Sequence, residues 1–367
     1  MPPVPTLQHL SAASARLCLG VAQFVQELLP PAAPKAHGAL LPCPLIIGLS
    51  GGADSTALLT ILLALRPRLG CTVHAVHINH QLRPESDAEA EHVARLCRAW
   101  GVPCQCIRLP VRALAEQWHM GIEEAARTAR YAAFATARQE HDAAWVCTAH
   151  HSGDLEEDIL LRLLRGAGWP ALGGMPALDA QRHIMRPLLL TEPAALRALL
   201  RELAIAWVED ASNQSRAYKR NRLRHDVLPL LKQENPALST GMQQLWQLAR
   251  IDAAHWQQQL DAALAAQPWQ LVQQEQSTQA QHNAPCPATA LSLPRSLLQS
   301  LDQSLRLRLY KRALQHFPAA QPRAQTLLAL DAAWLAGRGG TCFQLGGGVC
   351  ATLKQGAVRF FQEQKPH

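Results

Sequence analysis

The chain has 367 residues, of which 35 are Lys or Arg and 28 are Asp or Glu, giving a formal charge of +7 and a pI near 9.0. This length allows two domains with separate cores, and the basic balance points to a polyanionic partner, nucleic acid first, rather than only a small acid. Ten cysteines scattered from Cys18 to Cys350, with no CxxC pair and one CxC at Cys104 and Cys106, exclude a secreted disulfide scaffold and set the expectation of a cytoplasmic protein.

The opening MPPVPTLQHL has no basic segment ahead of its apolar residues, and Gln23, Gln26 and Glu27 interrupt the run Val21 to Leu29. Neither a signal peptide nor a membrane span is expected, and the first forty residues offer one amphipathic helix between Pro-rich ends. Leu45 to Leu49 is a short buried strand, Ser50 to Ser55 spells SGGADS, and from Thr56 a Leu- and Ala-rich helix runs without Gly or Pro until Pro67. Two glycines allow close backbone approach, and the helix N-terminus offers N–H groups and partial positive charge to an anion. A Walker A loop needs a Lys, and none lies between Lys35 and Lys219. Asp54 in an anion-binding turn makes sense where Mg2+ bridges it to phosphate oxygens.

Strands and helices then alternate. Cys71 to Asn79 and Gln105 to Leu109 read as strands around a helix from about Glu85 to Trp100. Gly121 to His141 reads as a helix, Ala144 to Ala149 as a buried strand, and DLEEDILLRLLRG as a helix stopping at Gly166. This order predicts an α/β fold, a doubly wound parallel sheet with ligands at the carboxyl ends of its strands. His77 and His80 end one strand, and His150 and His151 end another. Without an HExxH helix or paired cysteines, imidazoles lining a nucleotide or substrate cleft account for them better than zinc. Asp154 and Glu157, three apart at a helix start, share a face suited to Mg2+. Glu156 and Asp158 are read as favouring the helix dipole only. Arg127 and Arg130 suit a phosphate contact.

Arg216, Lys219, Arg220, Arg222 and Arg224 fall within nine residues and suggest a helix presenting a nucleic-acid phosphate surface, with Leu223, Val227 and Leu228 as its core-facing stripe. After Pro236 the composition shifts to Gln, Ala and Leu, which indicates a second, mostly helical domain. Ser277 to Pro287 reads as a polar loop, and CFQLGGGVCATLKQGAVRFFQ as short strands around glycine turns. The expected division is an N-terminal extension over 1–40, a catalytic domain over 41–233 and a second domain over 234–367.

SGGADS resembles the SGGxDS loop of the PP-loop pyrophosphatase superfamily. The ordered strings SGGADS, VHINHQLR, IEEAARTARY, TAHHSGDLEEDILLRLLRGAG, LGGM, RPLL and WVEDASNQSRAYKRNRLRHDVLPLL resemble the tRNA(Ile)-lysidine synthetase family over about Leu45 to Leu231. The last string discriminates best, because other PP-loop enzymes share only the glycine turn. The resemblance implies a PP-loop (adenine nucleotide alpha hydrolase-like) sheet and a two-step reaction with ATP as substrate and Mg2+ as cofactor. ATP adenylates the carbonyl oxygen of the wobble cytidine of an isoleucine tRNA with a CAU anticodon, releasing pyrophosphate. The amine of L-lysine then displaces AMP, and lysidine pairs with A rather than G, shifting codon reading from AUG to AUA.

Carried over by position, Ser50, Gly51, Gly52, Ala53, Asp54 and Ser55 match the ATP loop, with His77 and Asn79 beside it. Arg127 and Arg130 match the EExARxxRY arginines, one of which reaches the nucleotide. His150, Asp154 and Glu157 match the HHxxDxxE pattern, with Asp54 and Asp154 as Mg2+ contacts. Many members read HHxDDQAET, whereas Gly153 replaces the first Asp and Asp158 the Thr; with Asp154 and Glu157 retained, activity is expected to survive. The chain reads as lacking the extra C-terminal domain of longer members, with no membrane partner, and a homodimer is one possible assembly. A tRNA thiolase would carry cysteine pairs, a non-catalytic relative would lose the ATP residues, and small-amide amidotransferase relatives would not need RNRLRH.

Overall fold

The computed structural model describes residues 3–29, 44–70, 72–82, 84–209, 216, 218–273, 289–317 and 319–363. The polar run Ser277 to Pro287 and most of the ED-x-SN string lie outside them. The chain divides into two compact units, Met1–Gln247 and Leu248–His367.

The first unit contains α1 (Ala12–Leu28), β1 (Leu45–Gly48), α2 (Ala53–Leu69), β2 (Val73–Asn79), α3 (Ser86–Ala99), β3 (Cys104–Arg108), α4 (Val111–Trp118), α5 (Ile122–Glu140), β4 (Trp145–Cys147) and α6 (Ser152–Leu164). The short strands β5 (Leu178–Asp179) and β6 (Ile184–Met185) follow, then α7 (Pro193–Glu202), α8 (Lys219–Arg222) and α9 (Leu228–Glu234). The sheet order is β3-β2-β1-β4-β6-β5, parallel except for the β5–β6 pair.

Alternation along β1 explains why both faces are covered. Leu45 and Ile47 pack with α1, α2, α3 and α7, whereas Ile46 packs with Phe134 and Ala137 of α5. A Cβ on Gly48 would sit 2.7 Å from the Phe134 ring, so the glycine lets α5 lie directly on the strand. Nearly every side of α2 is buried, from Ser55 to Leu65, which is why its sequence is apolar all round. The helix continues through Pro67 to Leu69 and stops at Gly70, with φ of 65°. It tolerates Pro67 because a proline in the last turn leaves most of the hydrogen-bond ladder intact. Strand order reverses between β1 and β4, which opens the crevice where doubly wound sheets take ligands.

The basic segment is not one regular helix. Between α8 and α9, Leu223–Val227 forms a π turn. Widening the turn rotates the residues after it, so Leu223 and Leu228 are buried while Val227 is exposed, which corrects its place in the expected core stripe. Glu156 is likewise no dipole ornament: it is buried and pairs with Lys232 at 2.9 Å. Asp158 accepts from Arg162 at 2.7 Å.

A long helix, α10 (Leu238–Ala266), leads into the second unit, which contains β7 (Gln270–Gln273), β8 (Thr289–Leu293), α11 (Arg295–Gln299), α12 (Gln303–Leu314), α13 (Ala324–Leu335), β9 (Cys342–Gln344), β10 (Val349–Lys354) and β11 (Ala357–Gln362). Its sheet, in the order β7-β8-β11-β10-β9, is antiparallel throughout. One face, including Leu293, Ala351, Val358 and Phe360, packs on α12 and α13. The terminal strands match expectation, while β7 and β8 were not legible among their Gln- and Ala-rich surroundings. Among the described residues no helix is long and apolar enough to cross a membrane.

Candidate active site

The turn between β1 and α2 is held by its own hydroxyls. Ser55 Oγ accepts from Ser50 N at 3.2 Å and donates to the Gly52 carbonyl at 3.1 Å, while Ser50 Oγ lies 3.0 Å from Ser55 Oγ. Gly51 has φ of 88°, which an L side chain rarely adopts, and a Cβ there would meet Val93 at 3.0 Å. Val208 N donates to Gly51 O at 2.9 Å, so the chain after α7 clasps the loop. The loop is therefore shaped before any anion arrives, and the first-turn N–H groups of α2 have no intrahelical partner.

A second anchored turn follows β4. His151 caps α6: its Nδ1 accepts from Gly153 N at 3.1 Å, and Asp154 Oδ2 accepts from His151 N at 3.0 Å. That cap leaves the neutral ring's proton on Nε2, which faces Asp54 Oδ2 at 3.5 Å and Asp154 Oδ2 at 3.6 Å. Burial opposes protonation of His151, but Asp54 and Asp154 outweigh it and hold its pKa above the usual value. His151 thus joins the β1 and β4 turns, a role the sequence signalled only as half of an HH pair. His150 differs: its Nδ1 lies 2.9 Å from Thr148 Oγ1, and burial first, then Arg186, Arg220 and Arg130, push it down to about 3 against the pull of Asp154. It is a neutral imidazole at pH 7.

Arg220 and Arg224 meet the carboxylates of α6. Arg220 donates through Nη2 to Asp154 Oδ1 at 2.8 Å and through Nε to Glu157 Oε2. Arg224 donates through Nε to Glu157 Oε1 at 2.5 Å and through Nη2 to Asp154 Oδ1 at 3.4 Å. Burial resists the charge on Asp154, yet His151 and Arg220 keep its pKa below the ordinary carboxylate value. The five basic residues read as one surface therefore separate. Arg220 and Arg224 turn to the α6 carboxylates, Arg216 pairs with Asp226 at 3.1 Å, and Lys219 and Arg222 are exposed.

Tyr131 carries three guanidinium groups over its ring, those of Arg127, Arg130 and Arg182 at 5.2, 5.6 and 5.6 Å. Arg127 is exposed, whereas Arg130 is half-buried; burial, then Arg127 and Arg220, lower its pKa. Arg130 also bears on His80, which burial first and then Arg130 push down to about 4. Buried Arg186, from the RPLL string, donates to Pro176 O at 2.7 Å and has no partner for its Nε. The motif was visible in the sequence, but nothing there assigned this arginine a place.

His77 and Asn79 are buried and engaged in the scaffold. His77 Nδ1 lies 2.9 Å from Leu49 O, and burial first, against that contact, lowers its pKa. Asn79 donates to Asp87 at 2.8 Å and to Ser86 O at 3.3 Å and accepts from Gln81 N at 2.9 Å, so its amide sets the β2–α3 connection.

The donor set fits a hard cation at one point. Asp54 Oδ1 is buried with no hydrogen-bond partner, whereas both carboxylates of α6 already hold arginines. A carboxylate oxygen left unmatched beside an anion-binding helix terminus is suited to Mg2+.

Residues 28–231 match the family model of the PP-loop domain. The tRNA(Ile)-lysidine synthase of Nitratidesulfovibrio vulgaris is 50% identical over 318 residues, covering 87% of this chain and 92% of that protein. The tRNA(Ile)-lysidine synthase of Geobacillus kaustophilus is 36% identical over 268 residues, covering 72% of this chain but 56% of that protein. Among solved structures, the U34-tRNA thiolase NcsA from Methanococcus maripaludis with its 4Fe-4S cluster aligns with a TM-score of 0.51 at 14% identity, covering 65% of this chain and 80% of that one, a likeness of fold.

Proposed function

The chain belongs to the tRNA(Ile)-lysidine synthase family of PP-loop proteins, and from that premise we propose how its residues divide the reaction. The enzyme ligates L-lysine to the wobble cytidine of the CAU-anticodon isoleucine tRNA with ATP, giving lysidine. Adenylation forms a bond from the cytosine carbonyl oxygen to the α-phosphorus and breaks the bond to pyrophosphate. The lysine amine then bonds to the ring carbon that bears this oxygen, the carbon–oxygen bond breaks, and AMP leaves with the oxygen.

Ser50, Gly51, Gly52, Ala53 and Ser55 cradle the pyrophosphate through a loop already ordered by its hydroxyls. Asp54 would hold Mg2+, with Asp154 next to it, and the bound ion supplies charge neutralisation for the departing pyrophosphate. Arg130, rather than exposed Arg127, faces the region of His80, His150 and Arg220, which suits a contact to the α-phosphate as negative charge develops. His150, neutral at pH 7, orients the nucleoside by hydrogen bonding. His151, its Nδ1 held by Gly153 N and its Nε2 facing two carboxylates, fixes Asp54 and Asp154 in one site, and the lysine ammonium loses its proton to solvent before it attacks. Asp154 and Glu157 attract that ammonium once an arginine yields. Lys219 and Arg222 bind tRNA phosphate from outside the site.

The observation that carries this reading is the contact of His151 with both Asp54 and Asp154, which makes one site of the phosphate loop and the α6 carboxylates. Its test is release of pyrophosphate and AMP with and without L-lysine and a CAU-anticodon isoleucine tRNA transcript, followed by mass analysis of the tRNA. AMP release that needs both, with lysine added at the wobble cytidine, is the expected result. Steady pyrophosphate release without tRNA would overturn the assignment of substrate.

A further inference from the structure

The second unit carries a group of side chains that takes no part in the reaction above. Pairing of β9 with β10 sets Cys350 opposite Gln344 and Thr352 opposite Cys342, and pairing of β10 with β11 sets Cys350 opposite Phe361. Side chains alternate along each strand, so Cys342, Gln344 and Cys350 share the face of the sheet opposite to the one formed by Phe343, Ala351 and Phe360 on the core. Glu363, just past β11, is drawn to the same place by its backbone N–H, which donates to Gly348 O at 2.7 Å.

There the two thiols and the carboxylate converge. One ligand atom from each of Cys342, Cys350 and Glu363 lies within 4.8 Å of the others. Gln344 ties them together: its Oε1 accepts from Cys350 Sγ at 3.2 Å, and its Nε2 donates to Glu363 Oε1 at 3.3 Å. We propose that Cys342, Cys350 and Glu363 form a binding site for a zinc-class divalent cation, with solvent in the fourth position.

The chemistry is that of a borderline-soft ion, since two sulfurs and one carboxylate oxygen suit Zn2+ and not Mg2+ or Ca2+. Two Zn–S bonds of about 2.3 Å in a tetrahedron place the sulfurs roughly 3.8 Å apart, within the spread of the cluster. The register disfavours the rival product, a disulfide. Cys342 and Cys350 are diagonal rather than opposite across the ladder, a relation that sets Cα atoms about 7–8 Å apart, beyond the usual disulfide span. The hairpin is also fixed in place. A Cβ on Gly347 would lie 1.9 Å from Ala319 O, so the glycine turn joining β9 to β10 is pressed against neighbouring backbone.

On binding, two thiol protons leave to solvent as two metal–sulfur bonds form. Cys342 and Glu363 are exposed, which gives the ion a way in. The sequence concealed the site because its cysteines are eight positions apart across a hairpin rather than in a CxxC turn.

The full chain, reduced with a phosphine and freed of metal, is titrated with Co2+ and then with Zn2+. One equivalent of Co2+ is expected to give a thiolate-to-cobalt charge-transfer band with tetrahedral ligand-field bands, both abolished by Zn2+. Cys342→Ser is expected to lose the band, and Glu363→Gln to weaken Co2+ binding while keeping it. Zinc is expected to raise the unfolding midpoint of the parent chain and not of Cys342→Ser. Because Cys342 and Glu363 are exposed, both variants leave the core intact. The absence of a band in the parent, its persistence in Cys342→Ser, or mass evidence of a Cys342–Cys350 disulfide in place of metal uptake would each overturn the proposal.

Discussion

Each unit of the molecule contains arginines bonded to carboxylates, and the two assemblies differ in whether their hydrogen-bonding capacity is used up. In the second unit Arg306 donates to Asp331 through Nε at 2.7 Å and Nη2 at 3.0 Å and to Leu301 O at 2.7 Å, and stacks 5.0 Å from the Trp334 ring. Tyr310 adds a third bond to Asp331 at 3.1 Å, and Asp331 is 0% exposed. In the first unit two arginines share two carboxylates, and Asp54 Oδ1 nearby is buried with no partner. The same functional groups give a structural lock where every donor and acceptor is matched. Where one carboxylate oxygen is left over beside a glycine turn at a helix start, they leave an acceptor that a bound cation would match.

The comparison breaks first at Asp331. Asp331→Ala leaves a buried guanidinium unpaired and is expected to destabilise the chain by ~3–5 kcal/mol, read from chemical denaturation. A loss below about 1 kcal/mol would mean that the Arg306 assembly is no lock. Asp54→Asn should do the reverse. Its expected effect is a fall in turnover of about 10²–10³-fold, with a stability loss well below that of Asp331→Ala, because Oδ1 has no hydrogen-bond partner and only the 3.5 Å contact of Oδ2 with His151 is weakened. Equal losses of stability in the two variants would erase the distinction.

Much of this was legible before the structure. The strand–turn–helix at Leu45 to Leu65 and the alternation up to β4 followed from apolar runs and glycine placement, which are local signals. The pairing of His151 with Asp54 was not, because residues 97 positions apart meet only through the strand order that sets β4 beside β1. Nor could composition separate Arg220 and Arg224 from Lys219 and Arg222: all four are cations in one short run, and which of them meet carboxylates depends on the placement of α6, with a π turn invisible to periodicity carrying Arg224. The pairing of buried Glu156 with half-exposed Lys232 was not legible either, because its partner comes from a distant helix.

Within the first assembly, two adjacent histidines part in their response to acid. His150 has a folded pKa of about 3, below the ordinary 6.5, so the folded state holds it neutral. Its contribution is present above pH 6.5 and is lost as pH falls from there toward 3. His151 has the opposite sign, its pKa being raised, so its contribution is full below 6.5 and fades as pH rises through the raised value. Replacing His150 with Gln is therefore expected to flatten the decline in urea midpoint between pH 6.5 and 4, a window set by the cited values. An unchanged decline would assign that sensitivity to other groups, such as His80, which burial and Arg130 push down to about 4.

The finest division runs within the basic segment itself. Arg220 is held by Asp154 and Glu157, whereas Lys219 and Arg222 are exposed. If only the exposed pair meets phosphate, Lys219→Ala with Arg222→Ala should reduce the slope of log K against log salt for tRNA binding by roughly 1.5, from counterion release of about 0.7–0.9 per contact. Arg220→Ala should leave that slope unchanged and lower turnover about tenfold, ~1.4 kcal/mol of barrier, because its charge is spent on the α6 carboxylates rather than on tRNA. A slope that falls with Arg220 instead would mean that the guanidinium leaves Asp154 and Glu157 when tRNA arrives. The acidic pair would then be uncovered by the substrate itself, in time for the lysine ammonium.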